Sequence, residues 1–95
     1  MHVIADTESG EFIDDPTEAQ LTELIGGLGR SSGSFITLNP ADETRSWYAS
    51  VSLLPDGSTE IAYSDPDHSE DHQAITTTGP AGIAHTLTSW LATRR

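Results

Sequence analysis

Trp47, Ala49, Val51 and Leu53 alternate with Tyr48, Ser50, Ser52 and Leu54, run into Pro55-Asp56-Gly57, and give way to a second β-rich stretch, Thr59 to Tyr63. A period of two sends successive side chains to opposite faces, and Gly57 supplies the positive φ that a tight turn needs. The segment is therefore expected to fold as an antiparallel hairpin. One face of it must be buried, because a lone hairpin is marginal in water. Tyr48 and Leu54 give the second face apolar weight too, so the alternation does not decide which face that is.

Two segments are patterned to cover the hairpin. Asp15-Pro16-Thr17-Glu18 reads as a helix start, with Asp15 accepting the first free amide hydrogens, Pro16 at the first helical position and Glu18 completing a capping box. Leu21, Leu24, Ile25 and Leu28 follow at i, i+3, i+4 and i+7 and form one stripe. Gly26-Gly27 weakens the last turn and Gly29 caps it, which bounds the helix at about 16–28. Gly79-Pro80 opens a second helix, with Ile83, Leu87, Trp90 and Leu91 on one side, Ala84 beside them, and Arg94-Arg95 at its negative end. Phe35-Ile36-Thr37-Leu38 reads as a short strand stopped by Asn39-Pro40. Gln73 to Thr77 reads as a last strand after a polar loop over 65–72, and Met1 to Ala5 as an edge strand. The order predicts an α+β fold: a two-layer sandwich, an antiparallel sheet of four to five strands with two helices on one face, in a single domain over residues 1–95.

Fifteen Asp and Glu stand against four Arg, with no lysine, for a formal charge of −11. Such a surface repels nucleic acid and anionic membrane and speeds encounter with cationic proteins, so the expected partner is a basic protein. The chain has no cysteine, which removes disulfides and thiolate metal sites. Its longest apolar run, Ser46 to Leu54, is far short of the ~20 residues of a membrane span, and Met1-His2-Val3-Ile4-Ala5-Asp6 lacks the basic start and apolar core of a signal peptide. The expected location is cytoplasmic. The lack of Lys beside abundant Ala, Gly and Thr fits a GC-rich, actinobacterial coding sequence.

The densest set of potential ligands is Asp65-Pro66-Asp67-His68-Ser69-Glu70-Asp71-His72. Asp65, Asp67 and Ser69 match the first three positions of a calcium loop, but Glu70 stands where glycine must turn the chain and Thr76 where a bidentate Glu is required. His68 and His72, four apart with acids around them, would hold zinc or nickel only if the segment were helical, which Pro66 and the flanking strands disfavour. The glycine-rich run from Gly26 to Gly33 leaves a helix C-terminus, whereas a phosphate cradle leads into an N-terminus. His85 flanks the second apolar stripe, and Asp14/Asp15 and Asp42/Glu43 are neighbours in turns or caps that need not converge on a substrate. No catalytic residue, metal or cofactor is expected, and the chain reads as a binding protein. Trp47 and Tyr48 must point to opposite faces, so one belongs to the core and the other becomes an exposed aromatic of the type that anchors interfaces.

The helix opening Pro16-Thr17-Glu18-Ala19-Gln20-Leu21, the strand Phe35 to Leu38, the sheet centre Tyr48 to Leu54, the turn into Glu60-Ile61-Ala62-Tyr63, and the closing Gly79 to Leu91 helix together resemble the small immunity proteins of bacterial polymorphic toxin systems. The likeness is to the family often encoded beside nucleic-acid deaminase toxins, and it covers residues 13–92. It implies an antidote without catalytic residues that binds a cognate toxin domain and blocks its active site. A toxin acting on DNA or RNA needs a basic channel for phosphates, which carboxylates of a bound protein can occupy instead. On this reading Asp65, Asp67, Glu70 and Asp71 face that channel, with Trp47 or Tyr48 as the apolar anchor. The competing reading is a small acidic interaction subunit or scaffold with no inhibitory role.

Overall fold

The computed structural model describes residues 3–30, 32–42, 44–66 and 69–93. The expected hairpin is its centre: β4 (Tyr48–Leu53) pairs antiparallel with β5 (Thr59–Asp65), from Leu53 opposite Thr59 to Tyr48 opposite Ser64. The turn closes with Gly57 at φ 89° and with the Asp56 carboxylate accepting from the Ser58 amide at 2.9 Å and from the Ser58 hydroxyl.

Around this centre the described residues build six strands in the order β2-β1-β3-β4-β5-β6. The first two, β1 (Val3–Thr7) and β2 (Phe12–Asp14), form a hairpin, and β1 also pairs with β3 (Phe35–Pro40), so the N-terminal strand lies inside the sheet and not at its edge. The edge is β2, three residues that sequence periodicity is too short to register. Strands β2 and β3 both run antiparallel to β1, hence parallel to each other, and α1 (Glu18–Gly26) carries the chain from one to the other. A meander through β3, β4, β5 and β6 (Glu70–Thr76) follows, and α2 (Pro80–Ala92) returns to pack beside α1. All strand pairs are antiparallel, with six strands where four or five were expected.

Two boundaries differ from expectation for local reasons. Asp15 takes a left-handed φ of 53° and leaves the capping role to Thr17, whose hydroxyl accepts from the Gln20 amide at 3.1 Å while the Gln20 side chain accepts from the Thr17 amide at 2.8 Å. The capping box is thus Thr17/Gln20 and not Asp15/Glu18, and the helix runs over 18–26 with Gly27 as its C-cap. We expect Thr17→Ala to cost about 1 kcal/mol, read as a lower urea midpoint with an unchanged slope. At the other boundary, β3 runs through Asn39-Pro40, because Pro40 closes the strand opposite Val3, at an end where a missing amide is tolerated.

The core lies between the sheet and the helices. Leu21, Leu24 and Ile25 of α1 and Ile83, Ala84, Leu87 and Leu91 of α2 meet Val3, Ala5, Ile36, Leu38, Ala49, Val51, Ile61 and Tyr63, all buried. The helices run in opposite directions: a side chain built at Gly26 would lie 3.8 Å from Pro80, and His85 approaches Glu18 at 3.4 Å on the exposed surface. Gly29 at φ 82° lets the chain pass Leu53 closely; a Cβ there would lie 2.9 Å from the leucine methyl.

One long-range polar clasp fixes the β1–β2 turn to the sheet. Glu8 accepts from both the amide and the hydroxyl of Ser34, each at 2.7 Å, and Gly33 leaves the room, since a Cβ there would sit 2.7 Å from that of Glu8. The Ser34 amide hydrogen bond, and then its hydroxyl, hold the Glu8 carboxyl below the ordinary carboxylate range. The unfolded chain therefore takes up the proton at a higher pH than the folded one. Stability from this clasp is present above the ordinary Glu range and is lost as pH falls below about 4, through the folded value. We expect Glu8→Gln to lose less stability than wild type between pH 5 and pH 3, about the ordinary Glu range, in paired urea titrations.

Candidate partner-binding face

Because the helices cover one side only, the register defines a second, open side of the sheet. Its middle row crosses all six strands as Phe12, Asp6, Thr37, Ser50, Ala62 and Gln73. On one side of this row lie Phe35, Ser52, Glu60 and Ile75; on the other lie Tyr48, Ser64 and Asp71, with Asn39, Ile4 and Asp14 completing the β3, β1 and β2 positions. The centre is floored by small residues and the large apolar groups stand around it: Phe12 is 70% exposed, Ile75 66%, Tyr48 45% and Phe35 40%. Four carboxylates, Asp6, Asp14, Glu60 and Asp71, share this side, and no strand residue on it is basic. Glu60 is held in place across the β5–β6 pair, where the Gln73 amide nitrogen donates to it at 2.6 Å.

Tyr48 faces this open side because Trp47 has the better partner within. Trp47, 2% exposed, meets Trp90 of α2 edge to face with centroids 5.6 Å apart, and Trp90 stacks on Tyr63 at 4.8 Å. Tyr63 in turn stacks on His72 of β6 at 5.9 Å. This aromatic layer lies on the helix side and settles the choice the alternation left undecided.

The residues expected to touch a partner thus separate. Tyr48 and Asp71 lie together on the open face. Trp47 is inside the core, and so is Asp65, 1% exposed, because the inward alternation of Ile61 and Tyr63 continues one step further. Neither can meet a partner without unfolding the sheet. Asp67 lies outside the described residues, and Glu70 opens β6. The polar loop expected over 65–72 is much shorter: β5 extends to Asp65, β6 starts at Glu70, and Asp65 pairs with Glu70 across the turn. Ser69 adopts a left-handed φ of 54° at that turn. Phe12, Phe35, Ile75, Asp6 and Glu60 complete the face without having been singled out. For Phe35 the signal was present, since burial of Ile36 and Leu38 sends it outward.

The other concavities carry different chemistry. A cleft of ≈ 240 Å³ where α1 ends and α2 begins is lined by Ile25, Leu28, Leu53, Thr59, Thr78 and Pro80 among others, and no lining side chain titrates near neutral pH. Arg30 at the helix end donates to the Gly26 carbonyl at 2.6 Å, which ties the cap down. Among the described residues no three His, Cys, Asp or Glu side chains gather to hold a metal ion, and no helix is long and apolar enough to cross a membrane.

Compared with known proteins, the chain matches no family model, no curated protein and no solved structure.

Proposed function

We propose that this chain is an immunity protein: it binds a basic toxin domain, one that acts on nucleic acid, and blocks the channel through which that domain meets its substrate. The observation that carries this reading is the open sheet face, on which four exposed large apolar groups share the described strand positions with four carboxylates and no basic residue. Isolated exposed apolar residues are ordinary, but several on one flat face with a single sign of charge match the anchor-and-rim pattern of a protein interface. The carboxylates stand in for phosphates against the partner's basic groove, and the aromatics supply the desolvated contacts that set the lifetime of the complex. The family resemblance of the chain order adds the inhibitory role to what is otherwise a binding face. Within this reading the contact surface is Tyr48 and Asp71 with Phe12, Phe35, Ile75, Asp6 and Glu60.

The test is co-expression with the C-terminal domain encoded immediately upstream of this gene. Cell survival together with a co-purifying complex supports the proposal. A complex without any toxicity to relieve moves the assignment to an acidic interaction subunit. Toxicity that the chain fails to relieve rejects the pairing.

A further inference from the structure

The sheet has two edges, and they differ in kind. At one side β2 offers three residues, bounded by Gly10 at φ 97° and by Asp15 at φ 53°, too short to template another strand. At the other, β6 offers seven residues in unbroken register with β5, from Glu70 opposite Asp65 to Thr76 opposite Thr59. Asp71, His72, Gln73 and Ile75 along it are exposed.

Natural sheets guard a long edge with lysine, proline, a bulge or a covering element, because its unpaired amides and carbonyls recruit any passing strand. β6 contains no lysine, no proline and no bulge. What it does carry is negative charge, in a chain of formal charge −11, and that repels a second copy while attracting a cationic strand. A shallow depression of ≈ 450 Å³, lined by Glu60, Gln73, Ala74 and Ile75, runs along the same edge and offers a seat for side chains arriving beside it.

From these features we infer that β6 is the docking edge: an extended, basic segment of the partner protein adds to the sheet as a seventh strand. Its outward amides and carbonyls pair with those of β6. On the open face its side chains are basic: they lie beside Asp71 and pass over the apolar Ile75 toward Glu60. The inference rests on the proposed binding of a basic protein and specifies how that protein is held.

The test needs no knowledge of the partner. A blocked peptide of about ten residues alternating Arg and Val is added to the full chain at low ionic strength, and amide exchange is followed by NMR. The expected result is that alternate amides of β6, those pointing away from β5, slow by about tenfold or more, that raised salt reverses the effect, and that a Glu-Val peptide produces none. The exposed change Asp71→Lys is expected to abolish the protection without altering the exchange of the core strands. Binding that perturbs Tyr48, Ser50 and Ala62 with no new protection in β6 overturns the edge mode while leaving the open face as the binding site. Absence of binding at about millimolar peptide also overturns it, and so does protection of β6 that grows with protein concentration alone, which would assign the edge to a second copy. The co-expression outcome is independent of all of these.

Discussion

Replacing Trp47 by alanine lowers stability by about 3–5 kcal/mol, whereas the same replacement one residue along, at Tyr48, lowers it by less than about 1 kcal/mol. The contrast follows from the pleat. Trp47 is 2% exposed and edge to face with Trp90, so its removal leaves a cavity bordered by Trp90 and strips one partner from the aromatic layer that α2 presses onto the sheet. Tyr48 is 45% exposed on the open side and opposes Ser64, so its truncation opens no void. A domain of this size holds only about 5–15 kcal/mol in all, so Trp47→Ala removes a large share of it. With urea slopes of about 1 kcal/mol/M for small proteins, the midpoint falls by about 3 M or more, and the variant is partly unfolded without denaturant if wild-type stability is at the low end. Equal losses at the two positions would mean that the face assignment of β4 is wrong.

The same pair explains how much of the molecule is legible in its sequence. Alternation over residues 47–54 fixes that one of two aromatics is core, but both faces of that strand carry apolar weight, and the decision is made by Trp90 on a helix more than thirty residues later. The two helices, the central hairpin and the layer order are readable because each rests on local periodicity or on a turn residue with one job, such as Gly57. β2 is not readable, since three residues complete no pattern; it exists because Ile4, Ala5 and Asp6 offer it a ladder. The acidic segment misleads for the opposite reason. Its composition is that of a loop, yet the pairing of β5 with β6 continues through it to Asp65 and Glu70, and a carboxylate that looks like surface charge ends up inside. Composition therefore does not say which carboxylates share a face. The register does, gathering Asp6, Glu60 and Asp71 from three strands onto the open side.

That gathering yields the second large expected effect. In the complex recovered by co-expression, Asp6→Lys combined with Asp71→Lys slows association by about tenfold or more at low ionic strength. It also flattens the dependence of the association rate on salt, with little change in dissociation. Tyr48→Ala combined with Phe35→Ala does the reverse, raising the dissociation rate by about thirtyfold or more, the equivalent of at least about 2 kcal/mol, while association is nearly unchanged. All four side chains are exposed, so the variants are expected to keep the urea midpoint within about half a molar of wild type, and the kinetics can be read without a folding correction. The division of labour is the informative part. Long-range attraction acts before contact and is screened over about 10 Å at 0.1 M salt, whereas burial of an aromatic acts only once water has left the interface. A partner that uses the helix layer instead would leave both pairs of variants indistinguishable from wild type in surface-binding kinetics. The open sheet would then be a solvated surface, and the carboxylates on it would serve solubility alone.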